Sequence, residues 1–282
     1  MYLKPSPPRA EREAAPAPQA VSPKEKAKRH RTASDHVEPE SSAGKPANPI
    51  PAPAAGPVHG VRVALVIDDL GRSVEDLAPL ERLGIPITYA VLPFQEQTPQ
   101  VVSELRRRGE EILVHLPMEP KNGEDPGPGA LHRGMSDDEL RERTLAALRA
   151  VPGAVGVNNH MGSELSSEAG PMTTVLGVLA ARGLFFLDSR TSAESVGYKV
   201  ARELGVPAAE RQVFLDGEPT PQAIEAQFQR LLSLARTRGS AIAIGHPHPE
   251  TLAALGRDVP KAKADGYEFV PVSYLLDRAG SE

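Results

Sequence analysis

Two carboxylates stand side by side in the stretch "VRVALVIDDLG", residues 61–71, where Asp68 and Asp69 follow an apolar run. Neighbouring carboxylates repel, and consecutive side chains of a strand point to opposite faces. Such a pair is costly unless a cation, a hydrogen-bond network or water receives it. Other residues able to do chemistry recur at similar places. His115 ends "EEILVHL", Asn158, Asn159 and His160 end "AVGVNNH", Asp188 and Arg190 follow "LFFL", Asp216 ends "RQVFLD", and His246 follows "SAIAIG". These types suit a metal hydrolase. A hard or borderline dication takes carboxylate and imidazole ligands, commonly three from protein. Asp69, His115 and His160 can supply that set. Asp68 is then available as a general base, and His246 as the acid that protonates a leaving group.

The elements that would position these residues alternate. Short apolar, β-branched runs at 61–67, 85–93, 110–116, 154–159, 184–188, 211–216 and 240–245 read as strands. Between them lie helical patterns closed by Gly84, Gly109, Gly183, Gly205 and Gly239. Ser136 three residues before Glu139 forms a capping box. Ile224, Phe228, Leu231, Leu232 and Ala235 mark one face of a long amphipathic helix, and a short helix and "YEFVPVSYLL" finish the domain. Repeated βα units with near-continuous apolar strands imply an α/β fold with parallel strands covered by helices. Every candidate residue lies at the carboxyl end of a strand, and in such folds those ends gather on one face. The pattern alone fits either a barrel or an open sheet. No G-x-G-x-x-G or Walker A pattern follows a strand.

Each residue has a plainer role open to it. Asp68 or Asp69 could cap the next helix. His115 could be a hydrogen-bonded core histidine, and His160 could brace a turn. Asp216, before Gly217, reads as a turn residue, and Asp188 with Arg190 could pair and hold the rim. The joint arrangement carries more weight than any member.

"VIDDLG", "HLPMEP", "GVNNHMGS", "FLDSRTS" and "AIGHPHPET", in that order, resemble the divergent polysaccharide deacetylase family, a distant branch of the NodB-type carbohydrate esterases. The resemblance runs from Val61 to Leu276. It implies a distorted seven-stranded (β/α) barrel and metal-dependent removal of acetyl groups from a polysaccharide or peptidoglycan-type glycan. Asp68 matches the family's base and Asp69 its ligand. His115 matches the first His of an H-x-x-x-H motif, in which Glu119 replaces the second, so the third ligand lies between His160 and Glu119. His160 is preferred because it ends a neighbouring strand. The Arg-Pro motif is absent, and "NNHMGS" stands in its place. His246 resembles the acid. The expected cofactor is a divalent metal, zinc foremost. Asn158, Asn159, Asp188 and Arg190 are expected to contact substrate. The rival expectation is a non-catalytic barrel that binds glycan or an envelope protein. A two-carboxylate glycosidase using Asp188 or Asp216 fits less well, since it needs acids spaced across a cleft.

Composition sets the limits. Residues 1–57 hold 12 of the 29 prolines and nine Lys/Arg against six Asp/Glu, and read as a disordered Pro/Ala/Lys-rich linker. The domain, residues 58–282, keeps 23 Lys/Arg against 31 Asp/Glu. An acidic, aromatic-poor domain argues against nucleic acid as partner. There is no Cys, hence no disulfide or thiolate chemistry. The chain as given shows neither a membrane span nor a signal peptide. Family and linker together point to the periplasm or cell envelope, with an anchor upstream as the expectation.

Overall fold

The computed structural model describes residues 60–276. The expected linker and the last six residues lie outside them. The chain runs β1 (Arg62–Leu70), α1 (Leu77–Glu81), β2 (Thr88–Val91), α2 (Thr98–Arg108), β3 (Glu111–Met118), α3 (Asp137–Ala150), β4 (Gly156–Met161) and α4 (Ala169–Ala180). It continues β5 (Phe185–Asp188), α5 (Gly197–Glu203), β6 (Ala208–Glu210), β7 (Val213–Phe214), α6 (Pro221–Arg238), β8 (Ser240–Gly245), α7 (Pro249–Ala264) and β9 (Glu268–Phe269). All strand pairs are parallel. Their order is β6-β5-β4-β3-β2-β1-β8-β7, with β9 beside β1.

Because the strands are buried on both faces, β1 alternates between two apolar layers. Val63, Leu65 and Ile67 pack toward the helices with Leu105, Phe186 and Phe228. Ala64 and Val66 face the inside of the curled sheet with Ala90, Leu113, Ile242 and Ile244. Val272, in a 3-10 turn after β9, fills the amino-terminal end of that interior, where its N–H donates to Thr88 Oγ1 at 3.0 Å. One end of the interior is thus plugged, and the carboxyl ends of the strands carry the polar residues.

The α/β barrel class holds, and the strand count differs from seven. β6 is only three residues, "AAE", too short and too alanine-rich to show a pattern. The run read as strand at 211–216 pairs over two residues, as β7. No backbone register joins β6 to β7. Gln212 spans that seam instead. Its Nε2 donates to Glu210 O at 2.6 Å, and its Oε1 accepts from Ile242 N at 2.7 Å.

Helix ends follow the local chemistry. Ser136 and Glu139 cap α3 reciprocally, and left-handed glycines 109 and 239 close α2 and α6. Two helices differ from expectation. The 192–205 pattern yields only α5, because residues 192–196 are held as a loop. The expected short last helix is the 16-residue α7, which carries Pro260 inside it. Among the described residues no helix is long and apolar enough to cross a membrane.

Candidate active site and metal centre

The adjacent carboxylates are reconciled by a break in β1. Its register with β2 passes from Ile67↔Tyr89 to Leu70↔Val91, so three steps on β1 face two on β2. Asp69 sits at the break with φ 61°, the left-handed region. Strict alternation fails there, and both carboxylates reach one ring. His115 Nε2 lies 3.3 Å from Asp69 Oδ1 and 3.6 Å from Asp68 Oδ2. The other non-glycine residues with positive φ are Phe94, Met161 and Arg190, after β2, at the end of β4 and after β5. Backbone strain among the described residues is therefore gathered at the carboxyl ends of strands, as at many functional sites.

Parallel register brings in the rest. His115 is opposite Asn158, and Pro117 is opposite His160. His160 Nδ1 lies 3.0 Å from Asp69 Oδ1 and 3.1 Å from His115 Nε2. Three donor atoms on three strands thus stand 3.0–3.3 Å apart. Asp69 Oδ1 is buried and has no hydrogen-bond partner, although both rings stand close to it. Donors on one face of a tetrahedral dication, with bonds of about 2.0–2.1 Å, stand roughly 3.3 Å apart. Residue types and spacing both fit a divalent ion.

Asn158 fixes the tautomer of one member of the cluster. Its Nδ2 donates to Asp68 Oδ1 at 2.8 Å and to Ser189 Oγ at 3.2 Å, which turns its Oδ1 toward His115 Nδ1 at 2.9 Å. His115 therefore carries its proton on Nδ1 and presents the Nε2 lone pair to the cluster. Glu119 is not part of the group. Its carboxylate accepts from Arg133 N at 2.7 Å and pins the loop after β3. Of the two alternatives for a third ligand, the structure places His160 with Asp69 and His115.

The two aspartates differ electrostatically. Burial pushes the Asp68 carboxyl up, and the opposing pull of His115, His246 and the Asn158 amide leaves it raised. Burial also pushes Asp69 up, but the charge of His160 and the contacts of both rings hold it well below the usual carboxylate range. The two carboxyls are thus shifted in opposite directions, Asp68 up and Asp69 down.

His246 comes from the other side. β1 pairs with β8 up to Ile67↔Gly245, so His246 follows opposite Asp68. Its ring is 3% exposed, and Asp216 Oδ1 accepts from Nδ1–H at 2.9 Å. Asp216 Oδ2 accepts from His246 N and from Thr251 Oγ1, each at 2.7 Å. Burial pushes Asp216 up, yet the bonds from His246 and Thr251 leave it lowered. Asp216, His246 and His248 also stand close enough to suggest an ion site. With both Asp216 oxygens already accepting, the group reads better as an oriented histidine. Asp216 is thus a positioning residue, not a turn residue. The signal lay in the strand order: β7 pairs with β8 at an offset of 30, which carries Asp216 to His246.

The four residues expected to contact substrate make hydrogen bonds or ion pairs within the chain, three of them buried and Arg190 half-buried. Asn158 is spent as described. Asn159 Oδ1 accepts from Ser189 N at 2.9 Å, and its Nδ2 donates to Met161 O at 2.8 Å. Asp188 accepts from Arg190 N, Ser195 Oγ and Tyr198 N at 2.7–3.0 Å, which holds 192–196 out of α5. Arg190 pairs with Glu210 at 3.2 Å. All four secure the loops around the cluster. Ser189, Thr251 and Arg211, whose guanidinium donates to the Ser189 and Arg190 carbonyls, share that work and carried no sequence signal.

The family model for divergent polysaccharide deacetylases matches residues 65–276, and the chain belongs to that family. An uncharacterized protein of Haemophilus influenzae is 38% identical over 142 residues, 50% of this chain and 51% of that one. The chain thus spans about half the length of this curated relative. The crystal structure of an uncharacterized protein from Agrobacterium tumefaciens is similar at TM-score 0.72 and 30% identity, covering 79% of this chain and 92% of the other. A family 4 carbohydrate esterase from Streptomyces lividans, solved in complex with acetate, shares the fold at TM-score 0.51 and 17% identity, covering 79% and 98%.

Proposed function

We propose that this protein is a metal-dependent hydrolase that removes acetyl groups from a polysaccharide or peptidoglycan-type glycan of the cell envelope. The observation that carries the reading is the division within the aspartate pair. Asp69 joins two imidazoles in a three-donor cluster, while Asp68 lies beside it with a raised pKa. Asp69, His115 and His160 would hold the ion, with zinc the foremost candidate. When bound, a dication supplies Lewis-acid polarisation and lowers the pKa of nearby water.

The chain's own residues account for the proton movements. Asp68 accepts a proton from the water that attacks the acetyl carbonyl carbon. The bond from that carbon to the glycan nitrogen or oxygen breaks. His246, whose Nδ1–H is held by Asp216, gives a proton from Nε2 to the departing amine or alcohol. Acetate and the free glycan group result. Asn158 keeps Asp68 and His115 in place throughout.

A second reading has one observation in its favour: Glu119 stands where the related enzymes carry a histidine, and its carboxylate pins a loop. On that reading the barrel binds glycan or an envelope protein without turnover. Acetate release from a panel of acetylated glycans by zinc-loaded protein, with Asp68→Asn as control, separates the two. Release by wild type and not by the variant supports the hydrolase. Metal uptake with no release from any glycan moves the reading to the binding protein.

A further inference from the structure

A cavity of about 600 Å³ lies at the amino ends of β2 and β3, on the opposite end of the strands from the aspartate–histidine cluster. Its walls include Tyr89, Glu110, Glu111, Glu81, Val155 and Tyr274. Tyr89 is 2% exposed, and its hydroxyl has no hydrogen-bond partner among the described residues. Burial and then the Glu110 charge push this phenol up, so it stays protonated. Glu110 is half-buried and forms no ion pair among the described residues. Burial, with the charge of Glu81 adding to it and Arg108 opposing, leaves its pKa raised. A partly desolvated carboxylate with no ion pair and a tyrosine whose hydroxyl opens onto the same space thus line one cavity.

The surroundings favour a cation. Glu81 is already paired with Arg108 at 3.0 Å, and Glu111 accepts from Thr88 Oγ1 at 2.8 Å and Ser273 N at 3.2 Å. The carboxyl end of α2 reaches the cavity at Gly109, so that helix dipole presents its negative end. The Gly84 carbonyl already accepts from Lys263 Nζ at 3.1 Å. Basic groups nearby are already paired, Arg108 with Glu81 at the cavity wall as well as with Glu104. Arg107 and Arg108 bond Glu104, and the Arg106 side chain lies against Gly153. On the rim, Tyr274 is 68% exposed and Val155 43%. These are two of the five large hydrophobic residues that are exposed among those described, which gives the mouth an apolar border.

We propose that this cavity receives an arginine side chain from a partner polypeptide. A planar guanidinium can bond Glu110 with two N–H groups, donate to the Tyr89 oxygen and stack on the Tyr274 ring. The apolar rim suits the backbone and neighbours of such a residue, which a free metal ion or a bare amine would leave uncovered. The proposal does not depend on the hydrolase reading, since no cluster residue takes part.

The test is titration of the 15N-labelled full chain with N-acetyl-argininamide, beside the neutral citrulline counterpart, followed by amide shifts. The expected result is saturable movement of the Tyr89, Glu110, Glu111 and Tyr274 amides, with Kd on the order of millimolar for one side chain. Glu110→Gln should weaken binding about tenfold, the loss of a charge-assisted pair. Tyr274→Ala should weaken it severalfold with the thermal midpoint unchanged, so loss of fold is not mistaken for loss of binding. Equal binding of citrulline, wild-type affinity in Glu110→Gln, or no saturable shift at these amides would overturn the proposal.

Discussion

Asp216 and His246 lie at matching positions just beyond the carboxyl ends of two paired strands, β7 and β8, and the carboxylate takes both the ring Nδ1–H and the backbone N–H of the same histidine. A side chain held at ring and backbone has little freedom left, so its Nε2 direction is set by the fold. Asp216→Asn removes the charge and offers an amide that cannot accept at both oxygens. Stability should fall by about 2 kcal/mol, the scale of hydrogen bonds to a charged group. Turnover, where measured, should fall by roughly 10² or more, since a misoriented acid cannot reach the leaving group. Urea unfolding and acetate release check the two effects separately.

The same residue gives a pH dependence. Its folded pKa is lowered by the His246 and Thr251 bonds despite burial. A depressed carboxylate contributes stability that is fully present above its unfolded pKa, about 4. That contribution is lost as pH falls through the lower, folded value. Wild type should therefore lose stability relative to Asp216→Asn on acidification below about pH 4. Parallel stability curves for the two proteins through that range would contradict the assignment.

Asn158 links the proposed base to a proposed ligand with one amide. Asn158→Ala should release His115 from its tautomer and leave Asp68 without its donor. Metal affinity should drop about 10–100-fold, the usual cost of losing a residue that orients a ligand. Isothermal titration with zinc measures this, and unchanged affinity would show that the network does not hold the ligand.

The strand ends were legible because parallel strands give near-continuous apolar runs, and polar residues that interrupt their carboxyl ends stand out. Asp68, Asp69, His115, His160 and His246 were all found that way. What each amide or carboxylate bonds was not legible, because it depends on register across strands. Asn158 looks like a substrate contact in sequence, yet Asp68, His115 and Ser189 use up its amide. The positive φ at Asp69 was hidden for a similar reason. Tertiary packing imposes it, and no glycine advertises it. β6 was missed because three residues carry no periodicity.

Gln212 closes a seam that backbone pairing leaves open between β6 and β7. Gln212→Ala would strip Glu210 O of its Nε2 donor and Ile242 N of its Oε1 acceptor. Two lost bonds near the core should cost about 1–3 kcal/mol. Chemical denaturation should show a lower midpoint with an unchanged slope. An unaltered midpoint would mean that water or a backbone shift replaces the side chain.

The aspartate pair offers the most discriminating experiment, because neighbouring residues of one type are expected to fail differently. Asp69 Oδ1 is one of three converging donors, so Asp69→Asn should lose the ion first and activity in consequence. Asp68 makes one hydrogen bond to Asn158 and has a raised pKa, so Asp68→Asn should keep the ion and the fold. Its turnover should nevertheless fall by roughly 10² or more, the scale of a positioned base. Excess zinc should partly restore Asp69→Asn and leave Asp68→Asn inactive. The ground for this asymmetry is the break in β1. The left-handed backbone at Asp69 turns its carboxylate toward both rings, while Asp68, one residue earlier, is anchored to the amide on β4. Metal content by elemental analysis and acetate release, measured on the same preparations, decide the matter. Equal metal loss in both variants would show that the two carboxylates act as one ligand pair, and full activity in Asp68→Asn would remove it as the base.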